Sequence, residues 1–136
     1  MTNLSLAESY LIKASKRLKI LVVLLDESAY SDVVREAQEI VELALKGMLR
    51  QVGIEPPKWH DVGPILTEHR AMFPASLQAE LDTLAAISLR LRKEREAAFY
   101  GDVDMLPEAL YGRDAAERAF ADAERVLAAL AHFPGG

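Results

Sequence analysis

Asp32-Val33-Val34-Arg35-Glu36-Ala37-Gln38-Glu39-Ile40-Val41-Glu42-Leu43-Ala44-Leu45-Lys46-Gly47-Met48-Leu49-Arg50-Gln51-Val52-Gly53 is the stretch that decides the fold. Val34, Ala37, Val41, Ala44, Leu45, Met48 and Val52 recur at spacings of three and four, the period of one helix face. Arg35, Glu39, Glu42 and Lys46 run beside that face as opposite-charge pairs three and four residues apart, each worth a few tenths of a kcal/mol. Val33 and Ile40 widen the apolar arc, so this helix is expected at the centre of its domain. Gly53 stands where a left-handed residue closes a helix.

Upstream, a helix is expected from Leu6 to Asp26. Ser5 and Glu8 have the spacing of a capping box, in which each side chain satisfies a free backbone donor at a helix start. Leu18, Leu21, Val22 and Leu25 are expected to face inward, and Asp26-Glu27-Ser28 marks the turn. Downstream, Pro56-Pro57 cannot continue a helix, and Gly53 to Asp61 reads as a loop. Asp61 is placed to cap a short helix over Val62 to Arg70, its carboxylate accepting from free amides. A long helix is expected from Ala75 to Ala98 or Phe99. Its seam is Leu77, Leu84, Leu91 and Ala98, filled in by Leu81 and Ile87, and Gly101 ends it. A last helix covers Arg113 to His132, with Ala116, Ala119, Phe120, Ala123, Leu127 and Leu130 inward. Asp114, Arg118, Asp122 and Arg125 form a charge ladder outward. Phe133 to Gly136 reads as a frayed tail.

Long helices joined by short loops pack antiparallel. The fold class is therefore all-α: an up-and-down bundle of four long helices and one short one, in a single domain over residues 1–136. A chain of 136 residues can bury one such core. The absence of cysteine excludes disulfides, thiolate metal sites and a cysteine nucleophile. No apolar run approaches the ~18 residues of a membrane span, and no cleavable leader is evident, so a soluble cytoplasmic protein is expected. The net charge of −5 argues against broad nonspecific nucleic-acid binding, which needs a basic face to displace counterions. Arg90, Arg92, Lys93 and Arg95 nevertheless make a local basic patch.

Arg95 is the residue that breaks the pattern. It follows Leu91 by four residues, and at 100° per residue it falls within about 20–40° of the apolar seam. Such a charge either snorkels to solvent at the helix end, where a cation also suits the macrodipole, or offers its planar fork to phosphate oxygens. Tyr100 lies five residues on, about 140° around a continued helix. The two meet only if the helix breaks before Gly101, or across a dimer. Lys58-Trp59-His60-Asp61 forms a second cluster. His60 and His69 have no partners at ligand spacing, so no metal is expected, and no phosphate-cradling glycine loop or nucleophile elbow is present. No cofactor is expected.

Several segments together resemble the HEPN domain family. Tyr30 to Glu39, leading into Glu42-Leu43-Ala44-Leu45-Lys46-Gly47-Met48-Leu49, is similar to that family's second helix. Gly53-Ile54-Glu55-Pro56-Pro57-Lys58-Trp59-His60-Asp61-Val62-Gly63 resembles its following loop. Arg95-Glu96-Ala97-Ala98-Phe99-Tyr100-Gly101-Asp102, then Tyr111 and Asp114 to Leu127, resembles its final part. The resemblance spans about residues 5 to 132. It implies a helical bundle that forms a homodimer and acts with a nucleotidyltransferase-domain partner, often in toxin–antitoxin or related defence roles, where the partner can transfer AMP to the HEPN protein. It also implies a nucleotide- or RNA-binding site to which Arg92, Lys93, Arg95, Asp102, Lys58 and His60 contribute. In the family's nucleases an arginine, then four to six residues, then a histidine form the catalytic site at the dimer interface. Arg95 matches the arginine, and Tyr100 occupies the histidine's slot. A phenol with a reference pKa of about 10 shuttles protons poorly at neutral pH, which favours a binding module over a nuclease. The alternative is a metal-independent RNase using Arg95 and Tyr100 at a dimer interface. A third reading is a purely structural dimerising bundle. Arg125 and His132 also fit the arginine-to-histidine spacing, and that match reads as coincidence.

Overall fold

The computed structural model describes residues 3–58, 61–100 and 111–133, with side chains for 6–58, 61–94 and 111–133. Six helices occur among them: α1 (Asn3–Asp26), α2 (Tyr30–Gln51), α3 (Gly63–Glu68), α4 (Ala75–Gln78), α5 (Leu81–Tyr100) and α6 (Arg113–Ala128). Short 3-10 turns at Arg70–Met72 and Ala129–His132 complete the path. No strand is present among the described residues, and the molecule is an all-α bundle.

α2 is the axis. Val33, Val34, Ala37, Ile40, Val41, Ala44, Leu45, Met48 and Leu49 are all buried. This arc is too wide for one neighbour, and α1, α5 and α6 each pack against part of it. The α1 contact is the most intimate. A Cβ added to Gly47 would stand 2.7 Å from Leu11 Cδ2 and 3.3 Å from Tyr10 Cβ, so the helices approach as closely as a bare glycine allows. α2 ends as its sequence implies. Gly53 has φ +83°, its amide donates to the Arg50 carbonyl at 3.0 Å, and Ile54 donates to Leu49 at 2.9 Å. These are the two bonds of a Schellman closure. The same closure ends α1, where Ala29 donates to Leu24 at 2.9 Å and Ser28 to Leu25 at 3.0 Å. There the left-handed position falls on Ser28, at φ 59°.

Four local expectations change. α1 begins at Asn3, so Ser5 lies inside its first turn rather than capping it; nothing in Asn3-Leu4 breaks a helix. On α1 the buried seam is Ala7, Ala14 and Leu21, while Val22 is 46% exposed. Residues 18–25 are apolar on nearly every side, so periodicity cannot choose the inward arc there. The expected single helix from Ala75 is broken at Ala79–Glu80 into α4 and α5. Arg70 explains the break: its guanidinium donates to the Gln78 carbonyl at 2.6 Å and to Asp82 Oδ1 at 2.6 Å. It thereby takes up an acceptor that a continuous helix would use internally. Finally, Phe133 is no frayed tail. It is 7% exposed and sits edge-on to Phe73, ring centroids 6.3 Å apart.

The described part of the α4 and α5 seam is as read, with Leu77, Leu81, Leu84, Ile87 and Leu91 buried; the side chain of Ala98, and Gly101, lie outside the described residues. Val62, not Asp61, is the N-cap residue of α3, but Asp61 still meets a free amide at the helix start, its Oδ1 accepting from Gly63 at 3.1 Å. The same oxygen accepts from Ser88 Oγ at 3.0 Å, which ties α3 to α5. No helix of the described residues is long and apolar enough to cross a membrane.

Candidate functional site

The end of α5 carries the residues singled out from sequence. Its backbone stays helical through Tyr100, so positions 95 and 100 lie about 140° apart around one axis. The side chains of Arg95 and Tyr100, and all of His60 and Asp102, lie outside the described residues. Arg92, Lys93 and Lys58 lie within them. Lys93 and Lys58 are exposed. Arg92 reaches back to α2, with a guanidinium nitrogen 4.0 Å from Glu42 Oε1.

Glu42 is the hub of this corner. Its Oε2 accepts from Gln38 Nε2 at 3.0 Å, and Lys46 Nζ stands 3.9 Å from Oε1. The charge stripe read along α2 is therefore also a bridge to α5. With both cations beyond hydrogen-bonding distance and part-exposed, the pairing is weak.

The turn just before Arg95 is held from two sides. The Tyr111 hydroxyl donates to the Glu94 backbone carbonyl, and Tyr111 itself is 6% exposed. The Glu94 carboxylate accepts from Arg118 of α6 at 3.4 Å. One residue is thus fixed through both its backbone and its side chain, which sets where α5 aims its last turns. Sequence reasoning found Tyr111 only as part of a resemblance, and Arg118 only as an outward ladder charge. Neither the hydroxyl's carbonyl partner nor the cross-helix pair has a short-range signal.

α5 and α6 both pack on α2 but touch each other little. Between them lies a groove of about 350 Å³ lined by Asp82, Thr83, Ile87, Arg90, Asp122 and Arg125. Arg90 donates to Asp122 across it. The ladder on the last helix is therefore partly an inter-helix lacing, although Arg125 remains exposed. At the other end of the bundle His132 is held between α4 and α5: Ser76 Oγ lies 2.8 Å from Nδ1, and Nε2 lies 2.6 Å from Glu80 Oε2. This is a structural clamp on the turn that follows α6, 14 residues beyond Arg118, the partner of Glu94. Among the described residues no group of three His, Cys, Asp or Glu is placed to hold a metal ion.

The chemistry that the described residues offer at the α5 terminus is cationic: guanidinium and ammonium donors on a clamped helix end suit phosphate oxygens. A family model described as HEPN domain matches residues 7–132. Comparison with curated proteins and with solved structures yields no match. The matched span takes in every helix from α1 to α6, the loop before α3 and the Arg95 stretch, and on that evidence the chain belongs to the HEPN domain family.

Proposed function

We propose that this chain is a nucleotide- or RNA-binding module that works as a homodimer and partners a nucleotidyltransferase-domain protein in a toxin–antitoxin or related stress system. HEPN domains are nucleotide- and RNA-related modules and commonly dimerise. One observation carries the reading to this chain's own residues: α5 runs unbroken through Tyr100. A continuous helix separates positions 95 and 100 by about 140°, so a site using both needs a second copy. Arg95 is the anion-binding group in this reading, with Arg92 and Lys93 beside it. Lys58, His60 and Asp102 are its further candidates. The clamp of Tyr111 and Arg118 on Glu94 supports it, because a preorganised donor loses less freedom on binding.

The competing reading is a metal-independent RNase at the same site. The two separate cleanly in one experiment. Labelled RNA is incubated with wild type and Arg95→Ala in EDTA and run on a gel, and AMP and a short RNA are titrated in parallel by fluorescence anisotropy. Binding that weakens about ten-fold or more in Arg95→Ala, without cleavage by either protein, supports the module. Cleavage lost in Arg95→Ala supports the nuclease. Equal binding by both proteins, with neither cleaving, overturns both.

A further inference from the structure

Most of the arginines on this surface are already engaged. Arg17, Arg35, Arg70, Arg90, Arg113 and Arg118 each face a carboxylate. Lys13, Lys16 and Lys19 on α1 are different. All three are exposed, and none has a salt bridge among the described residues, in a chain whose net charge is −5. Between them stand Ile12, Ile20 and Val23, at 56%, 49% and 59% exposure. Ile12, Lys16, Lys19, Ile20 and Val23 fall within an arc of about 100°, with Lys13 at its edge. α1 therefore presents a second amphipathic face, directed away from the core. Of the six large hydrophobic side chains exposed among the described residues, four are on this helix.

The surface is concave on one side of Ile12; on the other, Glu8, Ser9, Lys13 and Lys16 of α1 itself form an open face. A hollow of about 450 Å³ lies between Leu11, Ile12, Leu130 and Phe133, with Lys16 and Glu8 at its rim. An apolar ridge, flanking lysines and an adjoining hollow are the features of a surface that receives a helix, an apolar anchor entering the hollow and carboxylates meeting Lys13, Lys16 and Lys19, three cations beside the single carboxylate of Glu8. Nucleic acid is a poorer occupant, because Ile12, Ile20 and Val23 offer nothing to a phosphate backbone. A membrane surface is poorer too: the face has no aromatic anchor, and a lipid interface does not supply a knob for the hollow. A two-fold pairing of α1 with α1 of another copy, centred on the stripe, sets Lys16 of one beside Lys19 of the other, and like charges oppose it.

We infer that the outward face of α1 docks an acidic amphipathic helix of a partner protein, its carboxylates on Lys13, Lys16 and Lys19 and its apolar residues against Ile12, Ile20 and Val23. This surface is separate from the α5 terminus and stands whether or not the proposed nucleotide site does.

The probe is a synthetic helix of about 18 residues, enough to cover the stripe at 1.5 Å per residue, with leucines at helical spacing flanked by glutamates. Its control is a scrambled peptide of identical composition. Anisotropy is read against wild type, Lys13→Glu/Lys16→Glu/Lys19→Glu and Ile12→Ser, with circular dichroism confirming that each stays folded. The expected result is binding at least about ten-fold tighter for the patterned than for the scrambled peptide, a comparable loss in both variants, and weakening with salt. Equal binding of both peptides, or none, overturns the inference. So does sedimentation with phosphatidylserine vesicles without peptide binding. So does a wild-type oligomer that Ile12→Ser dissolves, since the face is then covered by a second copy.

Discussion

Replacing Gly63 by alanine tests whether α3 is positioned by backbone contact with α5. An added Cβ would stand 3.1 Å from both Cα and Cβ of Ala85 and 3.2 Å from the Ala85 carbonyl oxygen. Optimal carbon–carbon contact is about 3.5–4.0 Å, so three contacts are too short together. Two of the atoms belong to the α5 backbone, which cannot rotate away as a side chain would; α3 must shift instead. Overpacking of this kind costs about 1–3 kcal/mol. Against it stands the helix preference of alanine over glycine, at most about 1 kcal/mol and less in a first turn. Shifting α3 also strains the bond from the Gly63 amide to Asp61, whose carboxylate holds Ser88 as well. The net expectation is a loss of about 1–2 kcal/mol, or a drop in Tm of roughly 3–8 °C for a domain of this size. Urea and thermal unfolding followed by circular dichroism measure it. Gly112→Ala is the comparison, because nothing among the described residues lies within 4 Å of a Cβ there and its φ is an ordinary −95°; any loss there reports only the poorer capping by alanine at the start of α6. A double-mutant cycle with Ala85→Gly should recover part of the loss as a coupling of about 0.5 kcal/mol or more. If Gly63→Ala is as stable as wild type, or more stable, the close approach of α3 and α5 is not what holds α3, and the reasoning fails.

Other substitutions probe separate joints. Ser28→Gly relieves a non-glycine residue at φ 59° and should stabilise the protein by about 0.5–1 kcal/mol, the left-handed strain less glycine's added unfolded-state freedom; a loss of stability in urea denaturation would contradict the closure assigned to α1. Phe133→Ala removes a ring that is 7% exposed and packed on Phe73, and should cost about 3 kcal/mol; a change within error would return Phe133 to a frayed tail. Tyr111→Phe deletes only the hydroxyl that bonds the Glu94 carbonyl. It should cost about 1 kcal/mol and weaken any ligand of the α5 terminus without altering helix content, whereas unchanged stability and binding would remove the clamp from the site.

The outcome differs by element. The α2 stretch was legible throughout, because one helix with an apolar arc wider than a single face has only one place in a bundle. The C-terminal glycine of α2 and the aspartate before α3 were legible for the same kind of reason: each acts on amides or carbonyls a few residues away. α1 was legible as a helix but not in its facing, since Ile20, Val22, Val23 and Leu24 look alike to any periodicity count. At the site, the basic residues around Arg95 could be placed on a helix end from sequence, but Glu94's two restraints come from Tyr111 and Arg118, 17 and 24 residues away.

By itself the sequence determined what depends on neighbours along the chain: helix period, breakers, left-handed closures and the carboxylate of Asp61 at the start of α3. Only the tertiary structure decided what depends on groups that meet through space. Arg70 splits α4 from α5 by reaching a carbonyl eight residues away. Gly47 leaves the space that Leu11 and Tyr10 of α1 fill. Phe73 holds Phe133 across 60 positions of sequence. Each of these has a partner fixed by packing, and packing is a property of the whole core that no local window of residues contains.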